Sequence, residues 1–236
     1  MDPIVEAALK KWPNVPACYG WLALDARGDW YMRDDRIQQA GPFPQVKGSR
    51  IQHEKLREFI ERNYLHDDVG CWFFQNGPQR VYVELEAAPY VWRLAAAAGE
   101  SPSIASHVGG AARFRSAQVD EQGRLFLDTD AGYGIVHTLD MEAAADAVER
   151  GHWAPEPVAF AELQRRFGYR LRAPEPASPA RGGARPPCHP EPRARRAARR
   201  ASALPPATRA RARRAVVRAR SIRGAPRATR STGSGR

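Results

Sequence analysis

The chain of 236 residues predicts an α+β fold, a mainly antiparallel sheet built from hairpins with a few covering helices, and three observations carry that prediction. Gly70 to Glu86 reads GCWFFQNGPQRVYVELE, two apolar runs joined through Asn76-Gly77, which is a strong short-range hairpin signal. Asp25-Ala26-Arg27-Gly28 and Asp120-Glu121-Gln122-Gly123 each stand as a turn between two apolar runs. Helical patterns are few and do not alternate strictly with the strands, which argues against a parallel sheet wound with helices.

Taken in order, Asp2-Pro3 reads as a cap with proline in the first turn, and Ile4, Ala7, Ala8 and Lys11 follow at helical spacing until Pro13. YGWLALD, the Asp25 turn and DWYMR make a first hairpin. Residues 34–50 read as a loop punctuated by glycine and proline. From Gln52 to Asn63, Leu56, Phe59 and Ile60 form an apolar stripe against charged residues, so a half-buried helix is expected. Pro89 to Leu94 reads as a strand and Ala95 to Gly110 as a connection with little order. Asp140 caps a helix from Met141 to Arg150, and a short helix near Val158 to Arg166 and a strand at Tyr169-Arg170-Leu171 complete the folded part. The Asp…Gly pattern of the first hairpin returns 95 residues later, which is either an internal duplication or, more simply, one ordinary turn used twice.

The central hairpin supplies the candidate site. Pro78 has no N–H, which favours a three-residue Asn-Gly-Pro loop with Gln75 opposite Gln79. In that register Cys71, Phe73, Val81, Val83 and Leu85 form an apolar face, and Trp72 and Phe74 join Arg80 and Tyr82 on an outer aromatic and cationic face that Trp92 extends. A two-residue loop moves Trp72 and Phe74 to the core instead. The outer face is the kind of surface a partner uses, and Trp72, Phe74, Arg80, Tyr82 and Trp92 are its expected binding residues.

Charge divides the chain. Residues 1–172 hold 20 Lys+Arg and 24 Asp+Glu, net −4, whereas residues 173–236 hold 17 and 2, net +15. The second segment has no aromatic residue and carries proline throughout, so it is expected to be a disordered basic tail, or the product of a shifted frame or read-through. If genuine, its arginines suit phosphate neutralisation on nucleic acid, and no other part of the chain does. Cys18, Cys71 and Cys188 show no paired spacing and suit thiols in a reducing compartment. With no leader-like amino terminus and no apolar run of spanning length, a soluble cytoplasmic protein without membrane association is expected.

Catalytic signatures are missing, so the reading leans away from an enzyme. Asp128-Thr129-Asp130 starts like a calcium loop, but Tyr133 and Leu139 stand where glycine and glutamate are needed. No metal and no cofactor is expected. His66 with Asp67 or Asp68 is the one arrangement that offers a base and an orienting carboxylate, for a small hydrolase. His53, His107 and His137 are scattered, and Cys71 reads as a small buried hydrophobe.

The segments WPNVPACYGWLALDARGDWYMRDD, GPFPQVKGSRI, GCWFFQNGPQRVYVELE, RLFLDTD, GYGIVHTLDMEAAADAV and FGYRL occur in that order. Through them, residues 1–172 resemble an uncharacterised family of proteobacterial hypothetical proteins, a domain of unknown function. The resemblance implies a compact cytoplasmic domain and brings no activity, cofactor or catalytic residue with it.

Overall fold

The structure is a computed structural model that describes residues 1–97 and 100–175. The tail expected over 173–236 lies outside those residues from position 176 on. The fold is α+β and rich in sheet. A first sheet contains β1 (Cys18–Leu24), β2 (Trp30–Met32), β3 (Ser49–Arg50), β4 (Tyr64–His66), β5 (Trp72–Asn76) and β6 (Gln79–Leu85), in the order β3-β2-β1-β6-β5-β4. A second contains β7 (Tyr90–Ala97), β8 (Glu100–Ser106), β9 (Ala111–Ala112), β10 (Phe114–Val119), β11 (Leu125–Thr129), β12 (Gly132–Val136) and β13 (Glu156–Pro157), in the order β13-β10-β11-β12-β7-β8-β9.

Both sheets follow one plan. The chain meanders outward through three strands, then returns through three more, so that the sixth strand lies parallel to the first: β6 beside β1 and β12 beside β7. The other pairings are antiparallel except where β13 joins β10. Hairpins are local and were legible, whereas each central parallel pair joins segments far apart in sequence and leaves no short-range signal.

The Asp…Gly recurrence does not follow this repeat. Asp25 lies between the first and second strands of its sheet, and Asp120 between the fourth and fifth of the other. Asp67, between β4 and β5, is the true counterpart of Asp120. All three build the same turn: the Asp carbonyl accepts from the glycine three residues on, and Oδ1 accepts from the backbone two and four residues on. Ser106 makes a fourth version, its hydroxyl bonded to the Val108 N–H. The residue pattern therefore reports a turn that the chain reuses.

Five helices cover the sheets: α1 (Pro3–Lys11), α2 (Asp35–Ala40), α3 (Glu54–Arg62), α4 (Met141–Glu149) and α5 (Phe160–Phe167). In α1 it is Val5 that is buried, while Ile4, expected on the inner stripe, is 76% exposed. Helix α2 and strand β3 replace the loop expected over 34–50, with the Asp34 carboxylate accepting from the Ile37 N–H as its cap. Strands β7 and β8 likewise replace most of the unstructured connection expected after Ala95. Asp140 does not cap α4; its carboxylate binds the Arg93 guanidinium and the Leu94 N–H. Helix α4 covers one face of the second sheet, where Trp92, Leu127, Val136, Ala144, Ala147 and Trp153 form one core cluster. On the other face α5 lays Phe167 against Tyr133 at 3.8 Å and Phe160 against Phe126 at 6.1 Å.

The central hairpin adopts the alternative register. Asn76 pairs with Gln79, Gln75 with Arg80, Phe74 with Val81 and Phe73 with Tyr82, leaving Gly77-Pro78 as a two-residue loop. The reason lies in which N–H closes such a loop. It is that of the residue after the two loop positions, so proline at the second position withdraws nothing that is needed. Gly77 at φ +58 supplies the positive φ of the first position, and the proline ring suits the second. Consequently Trp72 and Phe74 face the core with Val81, Val83 and Leu85, and Phe73 takes the other face with Tyr82.

Candidate functional site

The five residues expected to bind a partner separate into two groups. Trp72 is 8% exposed, Phe74 6% and Trp92 0%, so these three are core. Phe74 meets Phe59 of α3 edge-on at 5.4 Å, and Trp92 donates its indole N–H to the Leu127 carbonyl. Arg80 and Tyr82 keep the outer position, and beneath them Phe73, itself buried at 4% exposure, replaces Trp72 as their aromatic neighbour, with the Arg80 guanidinium 4.6 Å from its ring.

Tyr19 completes this face and was missed from the sequence. Its ring stacks on Tyr82 at 4.9 Å with the planes 15° apart. What brings it there is an irregularity in β1: Cys18 pairs with Val81 and Leu22 with Val83, so four residues of one strand pass two of the other. Such bulges re-aim side chains. Gly20 lies inside the bulge, close enough to Gln38 that a Cβ there would approach its Oε1 to 2.7 Å. A glycine within an apolar strand, in CYGWLAL, was the available signal for it.

The Tyr82 hydroxyl donates to Asp67 Oδ2 at 3.2 Å. Burial, aided by the neighbouring Asp67 and opposed by Arg80, holds the Tyr82 phenol above its ordinary pKa. Burial likewise raises Tyr19. Both rings therefore stay neutral hydroxyl-bearing surfaces near neutral pH.

Beside the stacked pair lies a concavity of about 350 Å³, lined by Tyr19, Tyr82 and Glu84 on one side and by Arg170, Arg172 and Glu175 on the other. The segment carrying these arginines crosses the sheet. The Arg170 N–H donates to the Gly70 carbonyl, and the Leu85 N–H donates to the Leu171 carbonyl. Glu84 holds two arginines: the buried Arg33 at Oε2, and Arg172 at 2.9 Å from Oε1. Arg33 is fixed further by donating to the Gly41 and Val46 carbonyls. One carboxylate therefore ties two guanidinium groups together at the floor of the concavity. Arg80 and Arg170 are both exposed, the first over the Phe73 ring and the second donating its Nε–H to the Val69 carbonyl. Exposed arginine over aromatic rings is the composition of an interface anchor.

The other candidate constellations dissolve into structure. Asp67 has both oxygens engaged, Oδ1 by the turn and Oδ2 by Tyr82, while His66 is exposed and its Nδ1 faces the Asp67 carbonyl at 3.0 Å. No carboxylate orients the imidazole, so the hydrolase arrangement finds no support. Three other histidines serve the backbone: His53 caps α3 through Nδ1, His137 Nδ1 accepts from the Leu139 N–H, and His107 Nδ1 from the Val91 N–H. His107 sits where the two sheets meet, within 6.3 Å of Trp30, Tyr64 and Tyr90, and burial pushes its pKa down to about 3. In the would-be calcium loop, Asp130 accepts from the Arg113 N–H. Cys71 is a free, buried thiol, as expected of it, and Cys188 lies outside the described residues. No helix of the described residues is long and apolar enough to cross a membrane.

Comparison with known proteins follows the same line. A family described as a protein of unknown function (DUF2946) matches residues 1–175. No curated protein matches the chain. Among solved structures, a DUF1285 family protein from Silicibacter pomeroyi DSS-3 is similar at 14% identity and a TM-score of 0.38, covering 62% of this chain and 84% of that one. A DUF1285 family protein from Shewanella baltica OS155 is similar at 14% identity and a TM-score of 0.37, covering 53% of this chain and 91% of that one.

Proposed function

The chain belongs to this family of proteins of unknown function, which lends it no activity, and we propose that its folded part is a binding module. The surface that receives the partner is the outer hairpin face, made of Tyr19, Arg80 and Tyr82 over the buried Phe73 ring, with Arg170 at its margin. The observation that carries the reading is the stacked Tyr19–Tyr82 pair flanked by the exposed Arg80 and Arg170, beside an open concavity. Stacked rings offer area at low entropic cost, and exposed guanidinium groups favour a partner segment bearing carboxylates next to an aromatic or apolar side chain. The reading takes the protein to be cytoplasmic and proteobacterial. Nucleic acid enters it only through the arginines of residues 173–236, by phosphate neutralisation.

The test is a peptide array probed with the intact chain and with the Arg80→Ala, Tyr82→Ala double variant. Retained peptides are expected to be rich in Asp or Glu beside aromatic residues. The double variant should lose them by about tenfold or more while its Tm stays within a few degrees, since the two side chains lie outside the core. Retention without that composition, or equal retention by the variant, would refute the assignment.

A further inference from the structure

On the far side of Arg172 from the tyrosine pair lies a second and larger cavity, of about 600 Å³, between the two sheets. Its lining combines Phe43 and Leu85 from the first sheet's side, Phe160 of α5, Leu171, and two guanidinium groups, those of Arg124 and Arg172. That volume falls within the range of small-molecule sites, and the lining is the usual mix of apolar wall with a few polar groups.

Hydrogen-bond accounting shows what is missing. The two carboxylates of the lining already hold cations: Glu84 faces Arg33 and Arg172, and Glu86 Oε2 accepts from Lys47 and from the Ala26 N–H. The donors are not all engaged. Arg124 gives its Nε–H to Asp120 Oδ2; its Nη2 lies 2.7 Å from the same oxygen but is not aligned with it, and is closed to solvent without a hydrogen bond. Arg172 directs Nε to Glu84 and Nη2 to the Phe43 carbonyl at a long 3.4 Å. Each guanidinium carries five N–H donors, so both retain donors with no acceptor among the described residues. Arg124 lies over Phe160, its guanidinium carbon 4.3 Å from the ring centroid, which places its cation beside an aromatic wall.

We propose that this inter-sheet cavity binds a small carboxylic acid with an apolar or aromatic body, the carboxylate taken by Arg124 and Arg172 and the body by Phe43, Leu85, Phe160 and Leu171. Both arginines already have one carboxylate neighbour each, so the ligand adds a second acceptor to each fork and does not displace the first.

The test is calorimetric titration of the full chain with phenylacetate and hexanoate, and with phenylacetamide as a neutral isostere. The acids should bind with heats that shrink as salt is raised, and the amide about tenfold or more weaker. Arg124→Gln should weaken acid binding by a similar factor and abolish the preference over the amide. Should that variant fail to fold, the acid and amide comparison on the unaltered chain decides alone. Equal binding of acid and amide, or no saturable heat from any of these acids up to about 10 mM, would overturn the proposal.

Discussion

His107 shows how a single buried group writes itself into the behaviour of the molecule. Its Nδ1 accepts from the Val91 N–H, and its ring lies among Trp30, Tyr64 and Tyr90 where the sheets meet, so protonation would place a charge in an aromatic enclosure. Burial therefore lowers its pKa to about 3, against about 6.5 in the unfolded chain. Between those values the unfolded state binds the extra proton, so stability rises with pH through the window. The contribution is complete above about pH 6.5 and declines as pH falls toward 3, amounting to about 2 kcal/mol lost by pH 5. Urea unfolding at a series of pH values measures this. His107→Gln, which keeps an acceptor for the Val91 N–H and cannot titrate, should flatten the pH dependence over that window; an unchanged slope would remove His107 as its source. Nothing in the sequence around His107 distinguished it from the other histidines, because its role depends on a contact between the two sheets. Glu84 hides its role in the same way. It reads as one more charge in an alternating strand, yet it is the acceptor for Arg33 and Arg172, which come from opposite ends of the folded part.

At the scale of elements, the reused turn gives the clearest contrast between shared local geometry and different surroundings. Gly70 and Gly123 hold equivalent places in the Asp67 and Asp120 turns, with φ of +80 and +74. A Cβ on Gly123 meets nothing within 4 Å, whereas one on Gly70 would stand 2.2 Å from the Gly168 carbonyl oxygen. Gly123→Ala should therefore cost only the strain of a left-handed residue, about 1 kcal/mol, and Gly70→Ala about 2 kcal/mol more as the Gly168–Arg170 segment is pushed away. Chemical denaturation of the two variants checks the difference, and equal losses would mean that the segment does not press on the turn. These turns were readable because Asp and Gly are needed for local reasons. The hairpin register was misread for an equally local reason, since the proline was weighed for an N–H that a two-residue loop does not use. Helix α2 escaped notice because its six residues are too few to show a period among the surrounding glycines and prolines.

For the molecule as a whole, two sheets of one strand order are joined through aromatic contacts around His107 and braced by the segment from Tyr169 to Arg172. The α+β class and the hairpins β1–β2, β5–β6 and β10–β11 came from the sequence, since each is signalled by its own turn, whereas β7–β8 falls where a connection with little order was expected. The repeated plan did not, because the parallel pairs β1–β6 and β7–β12 depend on how the ends of each meander meet. Arg80 and Tyr82 were recognised as surface while Trp72 and Phe74 were not recognised as core, because a one-residue slip moves every side chain of β5 to the other face relative to β6; Trp92 lies on β7 of the other sheet, where its burial depends on contacts the hairpin does not set. What remains of the expected site is smaller and better defined: one bulge that turns Tyr19 onto Tyr82, and arginines around the pair. Its role as the binding surface is the central claim. The most direct measurement is site-specific photo-crosslinking in cells, with the photoreactive residue at Val69, exposed beside Asp67, and in a second chain at Val148 on α4. The account predicts a discrete adduct from position 69 that disappears with Arg80→Ala and Tyr82→Ala, and none from position 148; adducts alike from both positions, or none from position 69, would contradict it.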